Sequence, residues 1–298
     1  MHARRLDAAA ASARAAHACA GQFVESVRKR VGTNVRSLAG ARGASDGNVR
    51  DVTGASAAAF LPADRSLPKL RVAAAGCRGC ELWKRGTQTV FGAGPVGARV
   101  MFVGEQPGND EDLAGAPFVG PAGKLLDRAL EEAGIDRDTV YVTNAVKHFK
   151  WVPRGKRRIH EKPKAREVAA CHPWLEAEIE AVRPAVLVCL GATAAQSIIG
   201  KSFRVTRERG TFIHSPLGPT VMATIHPSAI LRAPDDTRRE YARAELVADL
   251  KKIARHLATS TRSPAPPAAP ARDRAPAAAP RGRQRATPRT PRRASRVQ

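Results

Sequence analysis

Short apolar runs alternate with helical segments between residues 61 and 258 of this 298-residue chain. The clearest runs lie at residues 100–103, 140–146 and 185–191, and segments with helical spacing of apolar residues follow at 121–133, 165–182 and 192–199. Strands that are apolar throughout are buried on both faces, as in a parallel sheet covered by helices. The sequence therefore predicts an α/β fold, a three-layer α/β/α sandwich around a mostly parallel sheet.

Composition divides the chain into three parts. Residues 1–60 are rich in Ala, Ser and Arg with weak periodicity, and residues 259–298 are largely Pro, Ala and Arg. Segments with so little to bury are typical of disordered chain. We therefore predict a disordered head at 1–60, one folded domain at 61–258 and a disordered basic tail at 259–298.

The charge is strongly positive. Lysine and arginine number 50 against 27 aspartate and glutamate residues, which gives a net charge of +23. The excess is shared by the predicted domain and the tail, which favours a polyanionic partner such as nucleic acid. No run of about 18 apolar residues and no apolar export segment occurs, so we expect a cytoplasmic protein without a membrane span.

The first apolar run ends in the motif Gly104-Glu105-Gln106-Pro107-Gly108. Glycine and proline turn the backbone at the carboxyl end of the strand, where open parallel sheets bind ligands. We therefore expect Glu105 and Gln106 to lie at the mouth of a pocket and not in the core.

Three further candidates follow the same logic. Phe118 is an isolated aromatic residue in a glycine-rich loop, Asn144 lies near the end of a predicted strand, and His226-Pro227-Ser228 follows another. Each also has an ordinary structural interpretation. A lone Phe packs in a core, an Asn bonds local backbone, and a His before Pro-Ser caps the next turn.

These elements, with Cys77-x-x-Cys80 ahead of them, resemble the iron–sulfur uracil-DNA glycosylases of family 4 and their relatives. The likeness covers about residues 70 to 257. Two features resemble the UdgX-type branch. One is Gln106, where family-4 members usually have a small residue, and the other is the motif Lys156-Arg157-Arg158-Ile159-His160.

The resemblance implies excision of uracil from DNA, with single-stranded uracil-containing DNA as partner and a monomeric protein acting in base excision repair. The target nucleotide must leave the base stack. Phe118 would stack on uracil, and Asn144 would accept from N3–H and donate to O4, a pattern that rejects cytosine. His226 would donate to O2 as negative charge develops there. Gly104 and Ser228 complete the implied substrate-binding set.

His160 is implied as the nucleophile that captures C1′ of the sugar, with Glu105 positioning a nucleophile or stabilising the cationic sugar. Gln106 is uncharged and cannot activate water as an aspartate would. We therefore expect a single-turnover glycosylase that stays attached to DNA. Two alternatives remain open: a conventional, turning-over uracil-DNA glycosylase, and a non-catalytic iron–sulfur DNA-binding protein.

The segment 147–164 is interpreted as a long basic loop. Lys156, Arg157 and Arg158 are expected to contact phosphates, which gives affinity without sequence information. Lys147, Lys150 and Lys162 are expected to extend the same surface.

Five cysteines in a chain without an export signal do not indicate disulfides. The resemblance implies a [4Fe–4S] cluster held by Cys77, Cys80 and Cys171. Family 4 has a further Cys where this chain has His148, and imidazole replaces thiolate in Rieske centres, so His148 is expected as the fourth ligand. Cys189, in the middle of a predicted strand, is the alternative ligand.

Overall fold

The computed structural model describes residues 56–215 and 219–260. The predicted head up to residue 55 and the predicted tail from residue 261 lie outside the described residues. The strands of the described part are β1 (Val100–Gly104), β2 (Tyr141–Asn144), β3 (Trp151–Arg154), β4 (Arg157–His160), β5 (Val186–Leu190), β6 (Phe212–His214) and β7 (Thr220–Thr224).

Helices alternate with these strands, as the sequence predicts. The α-helices within residues 56–215 and 219–260 are α1 (Leu67–Ala75), α2 (Asn109–Ala114), α3 (Pro121–Glu132), α4 (Ala165–Val182), α5 (Gly191–Ile198), α6 (Val205–Glu208), α7 (Pro227–Leu231) and α8 (Asp236–Ser260). Single 3-10 turns lie at Ala57–Phe60, Glu81–Lys84 and Arg137–Thr139. No helix in this part of the chain combines the length and hydrophobicity needed to cross a bilayer.

Five strands form the central sheet in the order β2-β1-β5-β7-β6. The first four are parallel, and β6 pairs antiparallel to β7 at one edge. The register places Gly104 at the end of β1 beside Asn144 at the end of β2. The carboxyl ends of the parallel strands therefore bring the predicted site residues to one edge of the sheet.

Each face of the sheet has its own hydrophobic core, because side chains alternate along a strand. Met101 and Val103 of β1 belong to the core that includes Trp174 of α4, whereas Val100 and Phe102 belong to the core that includes Leu126 of α3. All five residues of β1 are buried. The predicted α/β sandwich with a mostly parallel sheet is confirmed.

Helix α3 shows how local sequence sets an element. Its apolar residues lie three and four positions apart and are buried, among them Leu125, Leu126, Ala129 and Leu130. Pro121 occupies the first turn, where its missing N–H costs nothing, and Gly134 follows the helix with a positive φ of 72°. The predicted helix over 121–133 is confirmed to within one residue.

Four boundaries differ from the predictions. Ala57–Phe60, assigned to the head, forms a 3-10 turn whose Ala57 is buried, so the folded part begins before residue 61. The last helix continues to Ser260, into the predicted tail. The stretch before Phe118, which belongs to the same predicted loop, is helical at Asn109–Ala114. Most importantly, the predicted loop 147–164 contains a β-hairpin, β3–β4.

The hairpin forms because Trp151, Val152 and Ile159 favour extended backbone and are interleaved with the basic residues. A two-residue turn, Gly155-Lys156, joins the strands, with a φ of 57° at Gly155. The register pairs Trp151 with His160 and Val152 with Ile159. The predicted nucleophile is therefore the last residue of a strand and not part of an irregular loop.

Candidate active site

A cavity of about 950 Å³ lies at the carboxyl ends of β1, β2, β5 and β7. Its lining combines apolar and polar side chains from these ends, from the hairpin and from the loops that follow. Seven of the eight residues predicted for catalysis and substrate binding line it: Glu105, Gln106, Phe118, Asn144, His160, His226 and Ser228. Residues that sequence reasoning did not select also line it, including Glu111, Thr193, Arg209 and Arg232.

Gly104 is the point on which three of these side chains converge. A methyl group placed on its Cα would overlap Asn144 Oδ1, lie 2.8 Å from Phe118 Cζ and lie 3.4 Å from His226 Nε2. No larger residue fits without displacing one of the three. The amide, the phenyl ring and the imidazole are therefore gathered around one small backbone position.

Phe118 is held in an uncommon backbone conformation, with a φ of 57°. A non-glycine residue in this left-handed region costs on the order of 1–3 kcal/mol and occurs preferentially at functional sites. The strained turn packs so closely on α3 that a methyl group on Gly123 would overlap the carbonyl oxygen of Phe118. The Phe118 ring lies 6.3 Å from the His226 ring, with 28° between their planes.

His226 is fixed as a neutral donor. Its Nδ1 accepts from the backbone N–H of Ser228 at 3.0 Å and lies 2.8 Å from Ser228 Oγ, so the ring proton belongs on Nε2, beside Gly104. Burial lowers the pKa of His226 to about 4, and Arg232 and His160 act in the same direction, whereas the Glu105 carboxylate opposes them. The imidazole both caps α7, as the structural interpretation predicted, and presents an N–H to the cavity.

Asn144 is buried at the end of β2, and its backbone carbonyl accepts a hydrogen bond from a buried lysine. Lys147 Nζ donates to the Asn144 carbonyl at 2.7 Å, to Thr143 Oγ1 at 2.7 Å and to the Glu178 carboxylate of α4. Lys147 is fully buried. The expectation that Lys147 belongs to a DNA-facing basic surface is therefore wrong, because its charge is committed to an internal ion pair.

Glu105 joins the hairpin to the body of the sheet. Its Oε1 lies 3.4 Å from His160 Nε2, and its Oε2 accepts a hydrogen bond from Thr193 Oγ1 in the first turn of α5. Burial would raise the pKa of Glu105, but the hydrogen bonds from His160 and Thr193 outweigh it, so the pKa is lowered. The carboxylate is charged and touches the imidazole of the hairpin.

Gln106 lines the cavity, as expected, but its side chain is buried, with 7% of it exposed. Its Nε2 donates to the carbonyls of Lys150 at 3.2 Å and Glu161 at 3.1 Å, and its Oε1 accepts from the Lys150 N–H at 3.2 Å. Lys150 and Glu161 flank the hairpin, and the Glu161 N–H donates to the Lys150 carbonyl at 3.0 Å. The amide therefore holds both ends of the segment that carries His160.

Arg158 is directed into the protein. Its Nη1 lies 2.6 Å from the buried carboxylate of Asp112 and 3.0 Å from Thr87 Oγ1, and its Nε donates to Asn109 Oδ1 at 2.9 Å. The guanidinium also lies over the rings of Phe149 and Trp151. These contacts fasten β4 to α2, which is a different role from the expected phosphate contact.

The other cations that were expected to form a basic surface differ in their surroundings. Lys156 and Arg157 are exposed at the turn, and no ion pair to either is found within the described residues. Lys150, in contrast, is buried with Glu161 and Glu167 at 3.3 Å and 3.1 Å, so the expectation that it joins a basic surface is wrong. Lys162 lines the cavity.

Cys77 and Cys171 belong to the hydrophobic core that includes Trp174 of α4, and Cys80 packs against that core. The pKa of the Cys171 thiol is raised to about 12, chiefly by burial; Lys147 opposes this shift, and Cys80 and Cys77 contribute in the same direction as burial. For Cys189 in β5, burial alone raises the pKa. Cys77 and Cys80 therefore lie close enough to act electrostatically on Cys171, whereas Cys189 is affected by burial alone.

Backbone and indole N–H groups already point at two of these sulfurs. Lys147 N–H donates to Cys171 Sγ at 3.3 Å, and Trp174 Nε1 and the Gly79 N–H donate to Cys77 Sγ at 3.2 and 3.4 Å. His148 Nε2 lies 2.9 Å from Thr89 Oγ1. Within the described residues, however, no group of three or more His, Cys, Asp and Glu side chains is arranged to hold a metal ion. The donor set fits an iron–sulfur cluster only in part.

Comparison with known proteins places these observations in context. The family model described as the uracil DNA glycosylase superfamily matches residues 91–251. The chain is 43% identical over 157 residues to a type-4 uracil-DNA glycosylase of Thermotoga maritima, which is 52% of this chain and 78% of that protein. It is 40% identical over 184 residues to one of Archaeoglobus fulgidus, 59% of this chain and 86% of that protein. A type-5 uracil-DNA glycosylase of Pyrobaculum aerophilum is 31% identical over 167 residues, 50% and 70% of the two chains.

Proposed function

The chain belongs to the uracil-DNA glycosylase superfamily, and we propose that it excises uracil from DNA and retains the abasic sugar covalently on His160. One observation carries the second half of this proposal. The charged carboxylate of Glu105 lies 3.4 Å from the His160 ring, at a cavity lined by Phe118, Asn144 and His226. The candidate nucleophile His160 and its candidate general base Glu105 therefore lie beside the pocket proposed for uracil.

Base recognition follows from the groups around Gly104. A flipped uracil stacks on Phe118, and the Asn144 carboxamide accepts from N3–H and donates to O4. Cytosine offers the opposite hydrogen-bonding pattern at these positions and is rejected. His226 Nε2–H lies on the same side of the pocket and donates to O2.

Bond cleavage moves an electron pair from the glycosidic bond onto uracil and leaves cationic character on C1′. The neutral His226 stabilises the anionic base because its proton is already on Nε2, where the charge develops. The Glu105 carboxylate stabilises the sugar cation electrostatically.

Capture then forms a carbon–nitrogen bond. One ring nitrogen of His160 supplies its lone pair to C1′, and the proton on the other nitrogen passes to Glu105. Gln106 cannot act as a general base for water, because it is uncharged and its amide is bonded to the backbone of Lys150 and Glu161. The product persists because a ring nitrogen is a poor leaving group, so each molecule reacts once.

DNA approaches over the hairpin. Lys156 and Arg157 are exposed at its turn and contact phosphates of the strand that enters the cavity. Single-stranded DNA is the preferred partner, since a nucleotide without a pairing partner costs less to flip. On the same basis, we propose that the protein acts as a monomer and takes part in DNA repair.

A [4Fe–4S] cluster is proposed at Cys77, Cys80 and Cys171, with His148 as fourth ligand. Support comes from the three neighbouring thiols and from the N–H donors that point at them, a known means of tuning such clusters. When bound, the cluster would tie the segment before β1 to α4. Iron and sulfide analysis tests it: four irons per chain are expected, and His148→Ala is expected to lower iron content, whereas zinc alone would contradict the proposal.

The function is tested with oligonucleotides that carry a single uracil or a thymine at the same position. Wild-type protein is expected to give a heat- and detergent-resistant adduct with the uracil strand only, at one equivalent of protein per strand. His160→Ser is expected to release uracil without an adduct, since a smaller residue admits water. His214→Ser, an exposed histidine on β6, serves as the matched control and should retain the adduct.

The other outcomes each have a definite meaning. Release of many equivalents of uracil per protein without an adduct would show a conventional glycosylase. An adduct that survives in His160→Ser would exclude His160 as the nucleophile. Binding of DNA without any release of uracil would show a non-catalytic DNA-binding protein.

A further inference from the structure

Thr193 is the one hydroxyl that touches the Glu105 carboxylate within the described residues. It lies in the first turn of α5, directly after the buried strand β5, and it is 8% exposed. Its Oγ1 donates to Glu105 Oε2, while Oε1 of the same carboxylate faces His160. The carboxylate therefore has one oxygen held by a fixed donor and the other directed at the hairpin.

We propose that Thr193 is a positioning residue for covalent capture, which orients and charges Glu105 and through it makes His160 nucleophilic. This inference rests on the proposed function and extends it by one residue. The Glu105 carboxylate can rotate about the single bonds of its side chain. The hydrogen bond from Thr193 to Oε2 selects the rotamer that keeps Oε1 beside the His160 imidazole. We expect the separation of 3.4 Å between Glu105 Oε1 and His160 Nε2 to vary more once this bond is lost.

If the Thr193 hydroxyl had only a structural role, it would be expected to bond a backbone carbonyl near its own helix. Threonine hydroxyls in helices often bond a carbonyl three or four residues earlier. Ser197 of the same helix does this, since its Oγ donates to the Ala194 carbonyl at 2.8 Å. Thr193 instead directs its hydroxyl out of the helix to Glu105. The start of α5 also favours a negative charge nearby, because of the aligned peptide dipoles.

Several charged groups surround Glu105. His160 from β4 and His226 before α7 both act on it. The other charged side chains of the cavity are Glu111, Lys162, Arg209, Arg232 and Glu245. Arg209 is paired with Glu245 and Asp249, and the Glu111 carboxylate accepts backbone N–H groups of Gly108 and Gly120. Lys162 and Arg232 are positive and line the same cavity.

The sign of the expected pH effect follows from these contacts. The hydrogen bond from Thr193 lowers the pKa of Glu105, so its removal raises that pKa. Glu105 would then be protonated, and unable to take the proton of His160, at a higher pH than in the wild type. The acid side of the pH–rate profile should therefore move to higher pH.

The experiment measures the rate of adduct formation and of uracil release, in the same samples, on single-stranded uracil DNA under single-turnover conditions from about pH 4 to 8. Thr193→Val removes the hydroxyl at nearly constant volume. We expect adduct formation to slow about tenfold near pH 6 and the acid midpoint to rise by about one pH unit. Thr193→Ser should restore both values, because it keeps the donor.

Ser197→Ala is the matched control, since it loses a hydroxyl hydrogen bond on the same helix without touching the site. Thr193→Ala, which favours a helix, replaces Thr193→Val if that variant does not fold. A Thr193→Val profile that coincides with wild type would overturn the inference. So would a loss in Thr193→Ser as large as in Thr193→Val, or an equal shift in Ser197→Ala.

Failure of the proposed function gives a different result. If wild-type protein releases uracil but forms no adduct, capture by His160 is wrong. The acid side of the uracil-release profile then still reports the ionisation of Glu105. A shift in Thr193→Val alone would then support the effect of Thr193 on Glu105, and an unchanged profile would reject that effect as well.

Discussion

The side-chain amide of Gln106 and the backbone of Lys150 bond to each other in both directions, at 3.2 Å each way. A third bond from the same amide reaches the Glu161 carbonyl on the other side of the hairpin. An amide can do this because it carries a donor and an acceptor side by side, whereas a carboxylate only accepts. Gln106 thereby fixes where the hairpin leaves and rejoins the body of the protein.

We predict that Gln106→Ala slows adduct formation about tenfold or more, because each lost hydrogen bond contributes about 1 kcal/mol. Uracil release should slow less, since Phe118, Asn144 and His226 converge on Gly104 and belong to elements other than the hairpin. Single-turnover assays of both products measure the difference. Gln196→Ala, which removes an amide that bonds the Phe203 carbonyl, is the matched control. Equal slowing of both products would argue against this role.

Gly104→Ala should abolish base recognition while the protein stays folded. The added methyl overlaps Asn144 Oδ1 and crowds Phe118 and His226, so the uracil pocket closes. We expect a loss of at least about a hundredfold in uracil release, with a small change in melting temperature, because only side-chain ends must move. Gly76→Ala is the control, since its methyl group meets nothing nearer than 3.8 Å. Normal activity in Gly104→Ala would contradict the assigned pocket.

Arg158→Ala should destabilise the protein by about 2 kcal/mol, because it leaves the fully buried Asp112 carboxylate without its cationic partner. Lys156→Ala and Arg157→Ala should change stability by less than about 0.5 kcal/mol, since both residues are exposed. Urea unfolding curves of the three variants measure this contrast. If all three behave alike, the Asp112 contact does not hold the hairpin.

The same variants should behave in the opposite order towards DNA. Loss of Lys156 or Arg157 should reduce the slope of log affinity against log salt by about one each, whatever the sequence. Arg158→Ala should leave that slope unchanged, because its guanidinium faces the protein. Titrations of single-stranded DNA between about 50 and 200 mM salt test the prediction. A lower slope in Arg158→Ala would show that the residue reaches phosphate.

Stability should fall as the pH is lowered from about 6.5 towards 4. His226 has a folded pKa of about 4, below that of a histidine in unfolded chain, so in this interval the unfolded state binds the extra proton. Protonation therefore favours unfolding, and the effect levels off below the folded pKa. His226→Gln, which cannot titrate, should show a flatter dependence of the unfolding free energy on pH. An identical dependence in the variant would show that His226 is not buried in its neutral form.

Sequence reasoning succeeded where local pattern decides the outcome. The apolar runs gave β1 and β5, helical spacing gave α4 with bounds of Ala165 and Val182, and glycine at the end of β1 gave the edge of the site. Parallel pairing then brings the ends of β1 and β2 together, which explains why Gly104 and Asn144 lie side by side.

Sequence reasoning failed where a charged side chain pairs with a residue that is distant in the sequence. Lys147 pairs with Glu178, and Arg158 pairs with Asp112, across separations of 31 and 46 residues. Local composition made both residues look like part of a basic surface. The same difficulty hid the hairpin, because its strand-forming residues are scattered among arginines. Thr193 was within reach of the rule that selected Asn144 and His226, since it also follows the end of a buried strand.

The contact between Lys150 and Glu161 has a consequence for how such proteins can evolve. These two residues are in hydrogen-bond contact, and everything between them is the hairpin that ends in His160. A deletion of this ten-residue segment would join chain ends that are already neighbours, and would leave the sheet and the base pocket in place. Under the proposed function, a protein without this segment would still release uracil but would lack the histidine that retains the sugar.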